Sequence, residues 1–166
     1  MQARLWIGAA LAVICLSACS KPAGQTDDAA SIPPAAPAPE QSPAEKQAVI
    51  ATLPAPYSGG DYLNGKSKFA LCASCHTVTA GGPNMTGPNL HGLFGRKAGS
   101  MAGFAYSDAV KAAGFAWDPD HLDKWVANPR AFIPGTKMSF LGLKDPKDRI
   151  DLIAYLRAES GEAAPK

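Results

Sequence analysis

Apolar and polar positions divide the chain into three stretches of different character. Leu5 to Leu16 is an unbroken, uncharged and mostly apolar run that follows a single cation at Arg4. Ser20 to Pro56 has no aromatic residue, few large apolar ones and no sustained period, so it predicts no packed core of its own. Glu45 to Leu53 offers a short helix at most. Helical spacing sets in beyond Tyr57. Tyr62, Lys66, Phe69, Ala70 and Ala73 share one face of a helix expected over 62–73. Asp118-Pro119 and Asp145-Pro146 are each an N-cap acid followed by Pro at the first helical position, and they predict helices of about ten and about fifteen residues. On the second of these, Ile150, Ile153, Leu156 and Arg157 mark one face. A smaller helix is expected around Ser107 to Ala113, stopped by Gly114.

Composition sharpens this division. Of the 15 prolines in 166 residues, eight fall between Lys21 and Pro56, which places the folded domain at Tyr57 to Lys166. A domain of about 110 residues can build a core without disulfides. Two of the four cysteines, Cys15 and Cys19, lie upstream of it in any case, so a disulfide-stapled miniprotein is excluded. The net charge of +2 is thinly spread, and no segment is basic enough to hold nucleic acid.

The first eighteen residues read as a secretory leader. As a helix the apolar run would rise about 18 Å, short of a hydrocarbon layer of about 30 Å, which argues against an uncleaved transmembrane anchor. Leu16 is too large for the −3 position of an ordinary signal-peptidase site. Leu16-Ser17-Ala18-Cys19 instead resembles the lipobox of bacterial lipoproteins. That resemblance implies lipid on the Cys19 thiol, cleavage before it, and a triacylated terminus held in a bacterial membrane and facing the periplasm, more than one acyl chain being what stable anchoring requires. Residues 19–56 would then be an Ala/Pro-rich flexible tether, stiffened where five prolines cluster between Ile32 and Pro43.

Cys72-Ala73-Ser74-Cys75-His76 is C-x-x-C-H, the attachment signature of c-type haem. Two thiols one helical turn apart can each form a thioether with a haem vinyl group, while the adjacent imidazole faces the iron. A zinc site would need four ligands, and His91 and His121 stand in no finger-like spacing to the motif. A thioredoxin-type pair would want strand alternation around it, and none is present. The opposite face of the iron has five candidates: Met85, Met101, Met138, His91 and His121. Met138 stands out because Pro134-Gly135-Thr136-Lys137-Met138 is a turn-rich loop able to bend a thioether back across a planar group. Met85 and Met101 read as gap-fillers, His91 as a hydrogen-bonded loop residue, and His121 as a solvated residue in a helix's first turn.

From Gly65 to Leu156 the sequence resembles class I cytochromes c of the mitochondrial and bacterial periplasmic type. The resemblance is carried by Cys72 to Val78, Gly87 to Arg96, Tyr106-Ser107-Asp108-Ala109, Trp117, Asn128-Pro129, Ile133 to Met138 and Asp151 to Leu156. It implies an all-α cytochrome c fold of four to five helices wrapped round one haem c, held covalently by Cys72 and Cys75 with His76 and Met138 as axial ligands. It further implies that the Pro88 carbonyl accepts from the second nitrogen of His76, fixing the ring and tuning its donor strength. Tyr106 and Trp117 would donate to a haem propionate, with Arg96 neutralising buried charge nearby, and Gly65 would let the first and last helices meet beside Tyr155.

Three positions depart from the mitochondrial pattern. Trp125 stands where a Tyr hydroxyl usually reaches the Met sulfur, and its indole N–H is also a donor. Val110 replaces a polar residue near the Met, implying a drier site. Leu71 and Met85 take two positions of the usual lysine ring, while Arg130, Lys137 and Lys144 keep others. The function implied is a monomeric carrier that shuttles single electrons from a cytochrome bc-type donor to a terminal oxidase or nitrogen-oxide reductase, with neither enzymatic activity nor a small-molecule substrate. A haem enzyme or gas sensor with a displaceable sixth ligand, and a permanent oxidase subunit, are the alternatives.

Overall fold

The computed structural model describes residues 41–162. The leader at 1–18, Cys19 and the first part of the expected tether lie outside these residues. Within them the chain forms α1 (Pro43–Ala51), α2 (Tyr62–Phe69), α3 (Asp108–Lys111), α4 (Pro119–Ala127), α5 (Pro129–Phe132) and α6 (Pro146–Ser160), with a 3₁₀ turn at Tyr57–Gly59. Extended pairing among the described residues is limited to two isolated bridges, Phe94 with Glu162 and Lys97 with Ala116.

Helix starts follow local chemistry. Asp118 accepts from the His121 amide and Asp145 from the Lys147 amide, with Pro119 and Pro146 in the first turns, as expected. Ser107 caps α3 by accepting from the Val110 amide, and Asp61 caps α2 by accepting from the Leu63 and Asn64 amides. α2 is shorter than the expected 62–73. Its regular part ends at Phe69, and the chain winds on in tighter turns, with the Cys72 and Ala73 amides both donating to the Phe69 carbonyl.

α2 and α6 form the structural centre. A Cβ placed on Gly65 would lie 2.0 Å from the Asp151 carbonyl oxygen and 2.7 Å from Tyr155 Cβ, so only glycine allows the two helices to approach this closely. The rings of Tyr62 and Phe69 pack on Tyr155 with centroids 5.4 and 5.2 Å away. Asp151 is buried between the helices, where it accepts from the Asp61 amide, Asn64 Nδ2 and Lys147 Nζ at 2.7, 2.7 and 2.6 Å. Salt bridges from Lys68 to Asp148 and from Arg149 to Asp123 tie α2 and α4 to the same helix at 2.8 and 2.7 Å. The single stripe expected on α6 is therefore too narrow. Asp151 through Leu156 are all buried, because α1, α2 and α4 cover different sides of the helix.

The domain begins earlier than Tyr57. α1 lies inside the stretch 19–56 expected as tether, and Ser42 with Glu45 forms a reciprocal capping box at its start. Ile50 and Leu53 are buried, Ile50 completely, and Tyr57 follows them into the core. The physical reason is that a Ser-x-x-Glu box and three apolar residues suffice for a short helix once α6 offers a surface to cover. No helix among the described residues is long and apolar enough to cross a membrane.

Candidate haem-attachment site

Past the end of α2, the Cys75 and His76 amides both donate to the Cys72 carbonyl, at 3.0 and 2.9 Å, so the motif makes one further helical turn. Both thiols are half-buried and unpaired. Burial, with a smaller contribution from Cys75, pushes the Cys72 thiol up to about 11. It is thus a neutral thiol at physiological pH, the opposite of the depressed thiol that a thioredoxin-type pair needs. Among the described residues no group of three or more His, Cys, Asp or Glu side chains is placed to hold a bare metal ion.

His76 is held by the loop that follows. Its Nδ1 lies 2.7 Å from the Pro88 carbonyl oxygen, which can only accept, so Nδ1 carries the proton and Nε2 keeps its lone pair. Burial pushes the His76 pKa down more than the Pro88 carbonyl raises it, so the ring is neutral at neutral pH. Gly87 lies flat against the same ring: a Cβ there would fall 2.3 Å from His76 Cε1. The Gly87 amide donates to the Cys75 carbonyl at 2.8 Å, closing the loop onto the motif.

Buried Asn89, which the sequence reading left without a role, fastens this loop. Its Nδ2 donates to Thr77 Oγ1 at 2.6 Å and to the Thr79 carbonyl at 3.0 Å, and its Oδ1 accepts from the His91 amide at 2.8 Å. An Asn after Gly-Pro is an ordinary turn signal, and nothing local distinguishes it as a staple.

A second group gathers around Arg96. Its guanidinium donates to the His91 and Asn89 carbonyls at 2.8 and 3.1 Å. Burial lowers its pKa while nearby Tyr106 raises it, and among the described residues no carboxylate pairs with it. Burial likewise pushes the Tyr106 phenol up, against the pull of Arg96. Trp117 joins them through the backbone, its amide donating to the Arg96 carbonyl at 2.9 Å and its carbonyl accepting from the Gly95 amide at 2.8 Å. The Trp117 ring is buried between Phe115 and Trp125, with centroids 5.0 and 5.5 Å away.

Met138 is half-buried at the end of the expected loop, where its amide donates to Thr136 Oγ1 at 3.2 Å. Lys137 Nζ donates to the Ala105 carbonyl at 3.2 Å, and a Cβ on Gly135 would lie 3.2 Å from Ala109 Cβ, so the loop packs on the start of α3. Trp125 is half-buried and packs on the Trp117 ring, with centroids 5.5 Å apart. Of the remaining candidates, His91 and Met85 are exposed, and Met101 places its sulfur 3.9 Å from Arg96 Nη1. His121 is not simply solvated: it stacks on Phe115 at 4.1 Å with Nδ1 2.8 Å from Asp118 Oδ2.

This donor set suits a covalently attached haem: two thiols one turn apart, a neutral imidazole with its far nitrogen free, and a guanidinium without a carboxylate. Cys72, Leu90, Tyr106, Trp125 and Phe140 pack against the main core while only half-buried, the kind of apolar contact a planar macrocycle takes up. Fold and site together define a small helical domain built to hold a c-type haem for electron transfer. A family model described as Cytochrome c matches residues 62–160. Cytochrome c of Cochliobolus lunatus is 52% identical over 105 residues, spanning 63% of this chain and 97% of that protein. Cytochrome c2 of Rhodomicrobium vannielii is 46% identical over 106 residues, spanning 64% and 85%. Among solved structures, cytochrome cH from Methylobacterium extorquens matches with a TM-score of 0.56 and 45% identity, covering 59% of this chain and 98% of that one. The chain belongs to the cytochrome c family and is an electron carrier, not an enzyme, whose cofactor is haem c bound through cysteine.

Proposed function

We propose that the chain is a lipid-anchored, single-haem carrier at the periplasmic face of a bacterial membrane, shuttling one electron at a time from a cytochrome bc-type complex to a terminal oxidase or nitrogen-oxide reductase. Cys72 and Cys75 would form the thioethers, His76 Nε2 and the Met138 sulfur would ligate the iron, and Arg96, Tyr106 and Trp117 would receive the propionates. Trp125 would contribute to the haem pocket. The haem supplies a one-electron couple that His/Met ligation holds at high potential and closes to small ligands. Pro88 keeps the imidazole oriented and Nδ1 protonated, so no proton need move with the electron at that atom. The observation that carries this reading is the bond between His76 and Pro88, which leaves one ring nitrogen committed to a carbonyl and the other free. The lipobox-like Leu16 to Cys19 supports the anchored form.

The test uses full-length chain matured in a host that attaches c-type haem. A red protein, low-spin in both oxidation states and inert to carbon monoxide at neutral pH, supports the carrier; a high-spin ferric form would favour an enzyme or sensor. Cys19→Ser should move the protein from the membrane to the soluble fraction. Copurification with one complex at fixed stoichiometry would identify a permanent subunit instead, and a deletion strain shows which respiratory activity falls.

A further inference from the structure

α1 begins nineteen residues ahead of Tyr62, where the family match starts, and it is fastened to the domain by two independent devices. The first is apolar. Ile50, fully buried, packs with Ala154 and Ala158 on α6 and against Tyr62 on α2. The second is polar. Lys46 Nζ donates to Tyr62 Oη at 2.8 Å and to Glu159 Oε1 at 2.6 Å, while Tyr62 Oη donates to the same carboxylate, so α1, α2 and α6 share one hydrogen-bonded triad. The Lys46 ammonium also lies 4.8 Å from the centroid of the Tyr62 ring. Beyond the helix, Thr52 Oγ1 accepts from Arg157 Nη2 at 3.4 Å. Apart from half-buried Val49, the remaining residues of α1 are exposed and either small or polar.

We propose that α1 is a docking latch that seats the N-terminal segment on the α2–α6 pair, so that this segment leaves the domain at Ser42 and not at Tyr57. The four side chains that receive α1, Tyr62, Ala154, Ala158 and Glu159, all lie on the two helices that Gly65 locks together, so the exit point is fixed relative to the haem-attachment turn that follows α2. The proposal rests on the anchored-carrier reading only for its consequence: a lipid-held chain so seated presents its redox face in a restricted set of orientations, where a chain hinged at Tyr57 would swivel.

Hydrogen exchange on the full-length, haem-loaded protein in detergent tests the latch. Amides of α1 should be protected in the wild type. Ile50→Ala should speed their exchange at least about thirtyfold, the expected scale for truncating a buried Ile, while α4 amides and the haem absorption spectrum stay unchanged. Lys46→Met should speed the same amides by a smaller factor, and Glu159→Gln should add little to it because both break one triad. Unprotected α1 amides in the wild type would overturn the proposal. So would an Ile50→Ala effect spread equally over α1 and α4, which would make Ile50 an ordinary part of one cooperative core. A colourless protein would instead count against the haem assignment, a separate readout on the same sample.

Discussion

The Pro88 carbonyl oxygen sits 2.7 Å from His76 Nδ1, while the backbone of the preceding Gly87 presses on the face of the same ring. One residue thus sets the ring's rotation and its neighbour sets its tilt. Pro88→Ala keeps the carbonyl and should leave low-spin ligation intact. Gly87→Ala brings a methyl to 2.3 Å from Cε1 and must displace the imidazole. It should retain covalent haem but shift the midpoint potential by tens of millivolts, on the scale of about 59 mV per tenfold change in a one-electron equilibrium. Redox titration of the pair checks this, and equal potentials would refute it.

Gly65 and Asp151 make the equivalent contact in the scaffold. Gly65→Ala forces a methyl to within 2.0 Å of the Asp151 carbonyl, a backbone atom that cannot rotate away. The expected loss is about 3 kcal/mol of unfolding free energy, at the upper end for overpacking. Denaturant titration measures it. A loss under about 1 kcal/mol would mean that α2 and α6 can slide apart.

Which of these features the sequence displays depends on how locally each is encoded. The motif at Cys72 to His76, the caps at Asp118 and Asp145 and the loop ending in Met138 are specified by adjacent residues, and each stands where the spacing placed it. Burial all round α6 is not legible, since it depends on three other elements closing on it. α1 carries its own signal in Ser42 and Glu45, but Pro- and Ala-rich surroundings mask a helix that only the α6 surface stabilises. Asn89 is hidden for the same reason, because its partners Thr77 and Thr79 are ten or more residues away.

The Asp151 carboxylate should make the domain acid-sensitive. Burial alone would raise its pKa, but donors at Lys147, Asn64 and the Asp61 amide outweigh burial and hold it below the ordinary value. Its contribution is therefore complete above about pH 4, the unfolded-state carboxylate value, and disappears as the pH falls through the lower folded-state value. Asp151→Asn should cost about 2 kcal/mol at neutral pH, the scale for losing charge-assisted hydrogen bonds. The gap to wild type should narrow below about pH 4. Thermal unfolding of both proteins across that range is the measurement, and a gap independent of pH would contradict the assignment.

Val110 is buried on α3, one residue from Ala109, which touches the Met138 loop at Gly135. An apolar side chain there disfavours the extra positive charge of the ferric state. Val110→Asn should therefore lower the potential, by about 40 mV if the change in polarity is worth about 1 kcal/mol. Protein-film voltammetry would detect this shift, and an unchanged potential would show that the position does not sense the iron.

Leu71, next to Cys72, and Met85, whose amide donates to the Gly87 carbonyl, both flank the haem-attachment turn and are 58% and 46% exposed. Leu141, three residues past Met138, is 87% exposed. A redox face with these apolar side chains relies less on long-range attraction than one ringed by lysines, because apolar contact acts only at short range whereas charge steers over about 10 Å at moderate salt. In the proposed anchored form, the lipid would supply the missing encounter rate by raising local concentration at the membrane. Electron transfer from the anchored protein should therefore vary weakly with ionic strength. Leu71→Lys with Met85→Lys should steepen that dependence without altering the haem spectrum. Stopped-flow oxidation in native membranes across a salt series measures both slopes. A steep wild-type slope, or a double variant that matches the wild type, would show that Arg130, Lys137 and Lys144 already steer the encounter and that the apolar substitutions carry no consequence for it.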